Sequence, residues 1–181
     1  MTTKLSSKYR SYNLEELAQR LDRDYYDHIQ ALCINAISLA NRIALEQDHP
    51  SMILYSDIAA KTIHKINIQV LKRKKEILPY ILDLHTKKTE GHNCNNCSGM
   101  CHVGHTEHFL SLKASHKDIL QYLDELEKES LPLHRHMEYP PAYKVLRNEM
   151  KEIDDMLTET FYLEELFLVP KVFEAQKAIN A

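Results

Sequence analysis

A chain of 181 residues, 44% hydrophobic and 27% charged, is long enough to bury one core and short for two, so a single domain over 1–181 is expected. No run approaches the roughly 18 uncharged apolar residues of a membrane span. The first stretch, MTTKLSSKYR, has no apolar export core, and 23 basic against 26 acidic residues leave a net charge of −3. These features predict a cytoplasmic protein with reduced thiols, with no nucleic-acid partner and no membrane partner.

All three glycines, Gly91, Gly99 and Gly104, fall in one short stretch, which leaves the rest of the chain without the residue that tight turns most need. The expected chain is therefore mostly helix. Asn13 and Glu16 form a capping-box pattern with Asn in the cap, and Leu14, Leu17, Leu21, Tyr25, Ile29, Leu32, Ala36, Leu39 and Ile43 then recur by threes and fours. This predicts a first helix over about 13–47. A second is predicted over 51–85, with Ile63, Ile66, Val70, Ile77 and Tyr80 on one stripe, and Pro79 as a kink or the start of a final irregular turn. A third covers 106–131, with Phe109, Leu112, Ile119, Leu123 and Leu126, and ends before Pro132. A fourth covers 143–169, with Leu146, Met150, Ile153, Leu157 and Phe167, and ends at Pro170. Long amphipathic helices joined by short links bury their stripes by lying antiparallel, so the expected fold is all-α, an up-down-up-down four-helix bundle. No strand pattern, low-complexity tract or internal repeat is evident.

Polar residues on the inward stripes need partners, and a site is sought there first. Tyr25 lies on the first stripe with His28 nearby, Gln69 and Arg73 on the second, His116 on the third, and Thr160 and Glu164 on the fourth. Antiparallel helices would bring Tyr25, Gln69, Arg73, His116, Thr160 and Glu164 to similar depths as one buried polar network. Two readings stay open. In one, His116, Glu164 and Tyr25 hold a metal ion. In the other, Arg73 forks onto Glu164 while Tyr25 and His116 hydrogen-bond around the pair. The spaced pairs Glu46 with His49 and His134 with Glu138 sit at helix ends beside prolines and add no carboxylate to the centre.

Four segments resemble the hemerythrin-like (HHE) domains, and among them most closely the di-iron proteins of iron-sulfur cluster repair. KKEILPYI (Lys74 to Ile81) and LEELFLVPKV (Leu163 to Val172) are similar to that family's endings of helices two and four. SHKDI (Ser115 to Ile119) is similar to its start of helix three, and DYYDH (Asp24 to His28) sits where it has histidines in helix one. The resemblance covers about 14–170. It implies a hemerythrin-like bundle and a di-iron centre of oxygen, nitric-oxide or cluster-repair chemistry. It also implies ligand positions on Tyr25 or Tyr26, on Gln69 and Arg73, on His116, and on Thr160 and Glu164. Only His116 and Glu164 keep the family's residue types, so the expectation is a relative whose central ligands are mostly replaced, with an arginine cation in place of a dication.

The link expected over 86–105, continued to His108, reads HNCNNCSGMCHVGHTEH from His92. Cys94 and Cys97 make C-x-x-C, Cys101 follows, and His102, His105 and His108 come next. Three thiolates and one imidazole suit a closed tetrahedral zinc site, so the expected ligands are Cys94, Cys97, Cys101 and one of those histidines, with His85 and His92 in reserve. If the third helix starts early, Cys97, Cys101, His105 and His108 share one face. Iron or a mixed-ligand iron-sulfur cluster, a redox pair of Cys94 and Cys97, and a polar segment with free thiols are the alternatives. Cys33 reads as a small core residue, Lys72 to Lys75 as a solvated face except for Arg73, and His134 and His136 as part of a helix connection. No nucleophile, phosphate-loop or paired-carboxylate motif assigns a catalysed reaction. The functional expectation is a metal-binding or stress-response protein of hemerythrin-like type. The alternatives are a scaffold whose link binds a protein partner that the sequence does not identify, and an active di-iron protein using unusual ligands such as Tyr25, His28, His116 and Glu164.

Overall fold

The computed structural model describes residues 8–46, 49–93, 106–130 and 139–180, with side chains at all of these except 106–111, 129, 130 and 180. Among the described residues every regular element is helical. In chain order these are α1 (Leu14–Arg20), a π-helical turn π1 (Leu21–Tyr26), α2 (Asp27–Glu46), α3 (Pro50–Lys72), π2 (Arg73–Ile77), α4 (Leu78–Thr89), α5 (Thr106–Ser130), α6 (Pro141–Leu163), π3 (Glu164–Leu168) and α7 (Val169–Asn180). No described helix is long and apolar enough to cross a membrane.

The helix starts follow from their sequence. Asn13 accepts from the Glu16 N–H at 2.8 Å while the Glu16 carboxylate accepts from the Asn13 N–H at 2.9 Å, which satisfies two donors that a helix start leaves open. Pro50 and Pro141 are the first residues of α3 and α6, where the missing N–H costs nothing and the fixed φ is already helical. After α4 the chain turns at Gly91, whose φ of +70° is left-handed and suits the absence of a Cβ.

The predicted ends of the second and fourth helices need correcting. Helix continues past Pro79 to Thr89 and past Pro170 to Asn180. In both places a π turn comes just before the proline: the Leu78 N–H reaches the Arg73 carbonyl and the Val169 N–H reaches the Glu164 carbonyl, five residues back in each case. A proline ring presses on the carbonyl four residues earlier and donates nothing, and a widened turn leaves room for both defects. Each proline therefore lies in the opening turn of the next α-helix and does not end the helix.

The described chain divides into two compact units, neither of them one continuous stretch. The first takes in Met1–Tyr26, Lys72–Ala114 and Glu159–Ala181, and the second Asp27–Leu71 and Ser115–Thr158. In the first, α1 packs on α4 and α4 on α7, burying Leu17, Leu21, Ile77, Ile81, Leu84, Leu168 and Val172. In the second, the inward residues of α2, α3, α5 and α6 include Ile29, Cys33, Ile63, Ile66, Ile119, Leu123, Met150 and Leu157. There Tyr55 and Tyr143 meet edge to face, with ring centroids 5.1 Å apart. Side chains of this size each stabilise burial by about 1.5–3 kcal/mol, so the threes-and-fours spacing carries most of the fold.

Candidate functional site

The polar centre of the first unit is built on its three π turns. Tyr26 is the last residue of π1, Arg73 the first of π2 and Glu164 the first of π3. Arg73 Nε donates to Glu164 Oε1 at 2.7 Å, Arg73 Nη2 donates to Oε2 at 3.2 Å, and Tyr26 Oη donates to Oε1 at 2.6 Å. Arg73 is 2% exposed and Glu164 0%. The Arg73 guanidinium carbon also lies 5.8 Å from the centroid of the Phe161 ring. Thr160, one turn before Glu164, is buried in the same unit.

The electrostatics follow from this packing. Burial works against the Arg73 cation, but the Glu164 charge and its hydrogen bond outweigh it and hold the guanidinium pKa above its ordinary value. Burial, and then the Glu164 charge, push the Tyr26 hydroxyl well above the usual phenol range, so Tyr26 stays a donor. The result is a closed fork: a planar cation takes both oxygens of one carboxylate, and a phenol takes one of them a second time.

A second tyrosine contact runs beside it. Tyr25 Oη donates to Glu159 Oε1 at 2.8 Å and lies 2.8 Å from Tyr9 Oη, so Tyr25 joins a partly buried pair and Tyr26 takes the place beside Glu164 expected for Tyr25. The cause is π1. A π turn holds one more residue than an α turn, so the adjacent tyrosines both face inward. Tyr26, Glu159 and Phe161 are the site residues that periodicity missed. The doubled tyrosine in DYYDH was the available signal, because two neighbouring bulky residues cannot share one stripe of an unbroken α-helix.

Of the remaining sequence candidates, Gln69 is half-buried and His116 buried, both in the second unit. His28 is exposed and lies 3.5 Å from Glu152, while His85 is half-buried and lies 3.5 Å from Glu15. His92 is half-exposed just before the Cys/His segment. Lys74 pairs with Asp22 at 2.9 Å, and of Lys72 to Lys75 only Arg73 is buried. Cys33 is buried, and its thiol is pushed up to about 12 by that burial. Cys94, Cys97, Cys101, His102, His105, His134, His136 and Glu138 lie outside the described residues, as does the side chain of His108.

The central residues of the first unit do not fit the di-iron centre that the resemblance implies. Both oxygens of Glu164 are engaged by Arg73, and a metal ion there would face a fixed guanidinium. Where the family pattern calls for His and Glu, Thr160 and Arg73 supply neither imidazole nor carboxylate. Among the described residues no three His, Cys, Asp or Glu side chains come together to hold a metal ion. No protein-family model matches the chain, and no curated protein matches it.

Proposed function

We propose that this chain is a hemerythrin-like, antiparallel four-helix protein that binds a metal ion in its Cys/His segment and carries an internal ion pair where such bundles hold iron. The observation that carries the reading is the fork of Arg73 on Glu164, because a carboxylate with both oxygens engaged by a buried cation has its charge already neutralised, and that cation repels a metal ion. The concentration of ligand-type residues then lies in the sequence from Cys94 to His108. Three thiolates from Cys94, Cys97 and Cys101 with one imidazole from His102, His105 or His108 make a closed set, which serves structure or sensing and leaves no open position for substrate. Zinc is the ion of choice for that set, and iron is the competitor. The protein so described has a metal-binding or stress-response role without catalysis.

Metal content of purified protein, grown replete in zinc and iron, tests the reading. Expected are about one zinc per chain, lost in a Cys94→Ser/Cys97→Ser/Cys101→Ser variant, and no iron held by the wild type. Two irons per chain retained by the triple variant would return the centre to the di-iron class. Metal content unchanged by the triple substitution would leave the segment as a protein-docking element.

A further inference from the structure

The helices repeat. Pro50 opens α3 and Pro141 opens α6; Arg73 opens π2 and Glu164 opens π3; α4 ends at Thr89 and α7 at Asn180, each boundary 91 residues after its counterpart. Pro79 and Pro170 keep the same interval. So does burial: Met52 and Tyr143, Ala59 and Met150, Ile66 and Leu157, and Ile81 and Val172 are buried at equivalent positions. Over these two 40-residue stretches the prolines are the residues in common, which is why the repeat is invisible as sequence identity.

The preceding helices carry the same relation with one informative break. Leu21 and Leu112 are buried 91 apart, but Ile29 pairs with Ile119 and Cys33 with Leu123 at 90. The lost residue is the one that π1 inserts, since the described α5 runs as α-helix throughout. Past that insertion, Tyr26 corresponds to His116.

Arg73 and Glu164 are thus equivalent positions of two repeats, and they touch each other. Contact between equivalent positions is what a two-fold relation produces, and at such a contact two identical residues would be Arg against Arg or Glu against Glu. We propose that the Arg73–Glu164 pair is the contact by which the first repeat (14–89) selects the second (106–180), and that the partner this surface fits outside its own chain is the opposite repeat of a second copy. Apolar residues at the equivalent positions, Ala59 and Met150 among them, discriminate between pairings only by volume. The buried charges discriminate by sign as well, because like pairing would leave two uncompensated ions in a dry core. The inference stands apart from the metal reading, since it concerns only the helices.

Full-length variants test it, read by light scattering after size exclusion and by circular dichroism. Arg73→Met/Glu164→Leu removes the charges but keeps the volume. It is expected to stay helical while dimers in which like repeats pair, disfavoured in the wild type by Arg against Arg and Glu against Glu, rise severalfold, and Arg73→Glu/Glu164→Arg is expected to restore the wild-type distribution. Each single reversal, Arg73→Glu or Glu164→Arg, is expected to lose soluble protein alone. Co-expressed under two different tags, the two are expected to copurify as a mixed dimer in which each contact is again Arg with Glu. A wild-type distribution for the apolar pair, a reversed pair no better than the single reversals, or failure of those two to copurify overturns the proposal.

Discussion

Tyr26 Oη and Arg73 Nε converge on one oxygen of Glu164, at 2.6 and 2.7 Å, and leave the second oxygen to Arg73 Nη2. Each of the three residues comes from a π turn, where the helix carries an extra residue and can aim a long side chain inward without displacing the apolar stripe on either side.

Removing one partner strands the other in the core. Arg73→Ala and Glu164→Gln are each expected to cost about 3–5 kcal/mol, and the double change less than their sum. At about 2–4 °C per kcal/mol for a chain of this size, each single change should lower the melting temperature by roughly 6–20 °C. Thermal melts followed by circular dichroism measure this, and additive losses would mean the two residues do not act as a pair.

The two tyrosines should differ although they are neighbours. Tyr26→Phe deletes a donor to a fully buried carboxylate and is expected to cost about 1.5–3 kcal/mol. Tyr25→Phe deletes a contact to the half-exposed Glu159, which water can replace, and is expected to cost less than about 1 kcal/mol. Urea titrations of the two variants would show it; equal losses would place the burial of Glu164 in error.

Periodicity made the apolar stripes legible, and with them the inward positions of Arg73, His116, Thr160 and Glu164, all of which are buried. It failed where the period itself changes. Counting 3.6 residues per turn through π1 put Tyr25 where Tyr26 stands, and ending the fourth helix at Pro170 missed that a widened turn lets a helix pass a proline. The 91-residue repeat was hidden for a related reason, because it lives in burial and helix boundaries and not in residue identity.

Buried phenols make the fold sensitive to alkali. Burial raises the Tyr26 pKa well above its ordinary value, and Tyr55 likewise, so the folded state keeps protons that the unfolded chain gives up near pH ~10. This contribution to stability is complete below that pH and is lost as pH climbs toward the raised folded values. Tyrosinate absorbance should therefore include a cooperative step that coincides with loss of helix, and Tyr26→Phe should reduce the steepness of stability against pH above ~10. Smooth titration of every tyrosine with the helices intact would contradict the burial.

Thiol chemistry separates Cys33 from the other three of the four cysteines. Cys33 is buried with its pKa pushed up to about 12, so it should resist alkylation until the protein unfolds. Under the proposed zinc site, Cys94, Cys97 and Cys101 are slow to react until a chelator removes the metal, after which three thiols per chain become reactive. Mass spectrometry of alkylated peptides reads both steps, and a chelator that leaves their rates unchanged removes zinc from the segment.

The prolines after π2 and π3 invite the view that they force the turns open, but π1 is followed by Asp27 and His28 with no proline behind it. What the three turns share is a buried polar side chain that must face inward beside an apolar stripe: Tyr26, Arg73 and Glu164. If packing on both sides holds the turn, Pro170→Ala should leave π3 in place and the Arg73–Glu164 fork intact. Pro170 already lies in the opening turn of α7, where an N–H is dispensable, so the expected stability change is under about 1 kcal/mol. Proline removed from the interior of an unbroken α-helix would instead return about 3 kcal/mol. A gain of that size in the Pro170→Ala melt, or loss of the energetic coupling between Arg73→Ala and Glu164→Gln in that background, would assign the turn to proline strain and not to the packing of the charged centre.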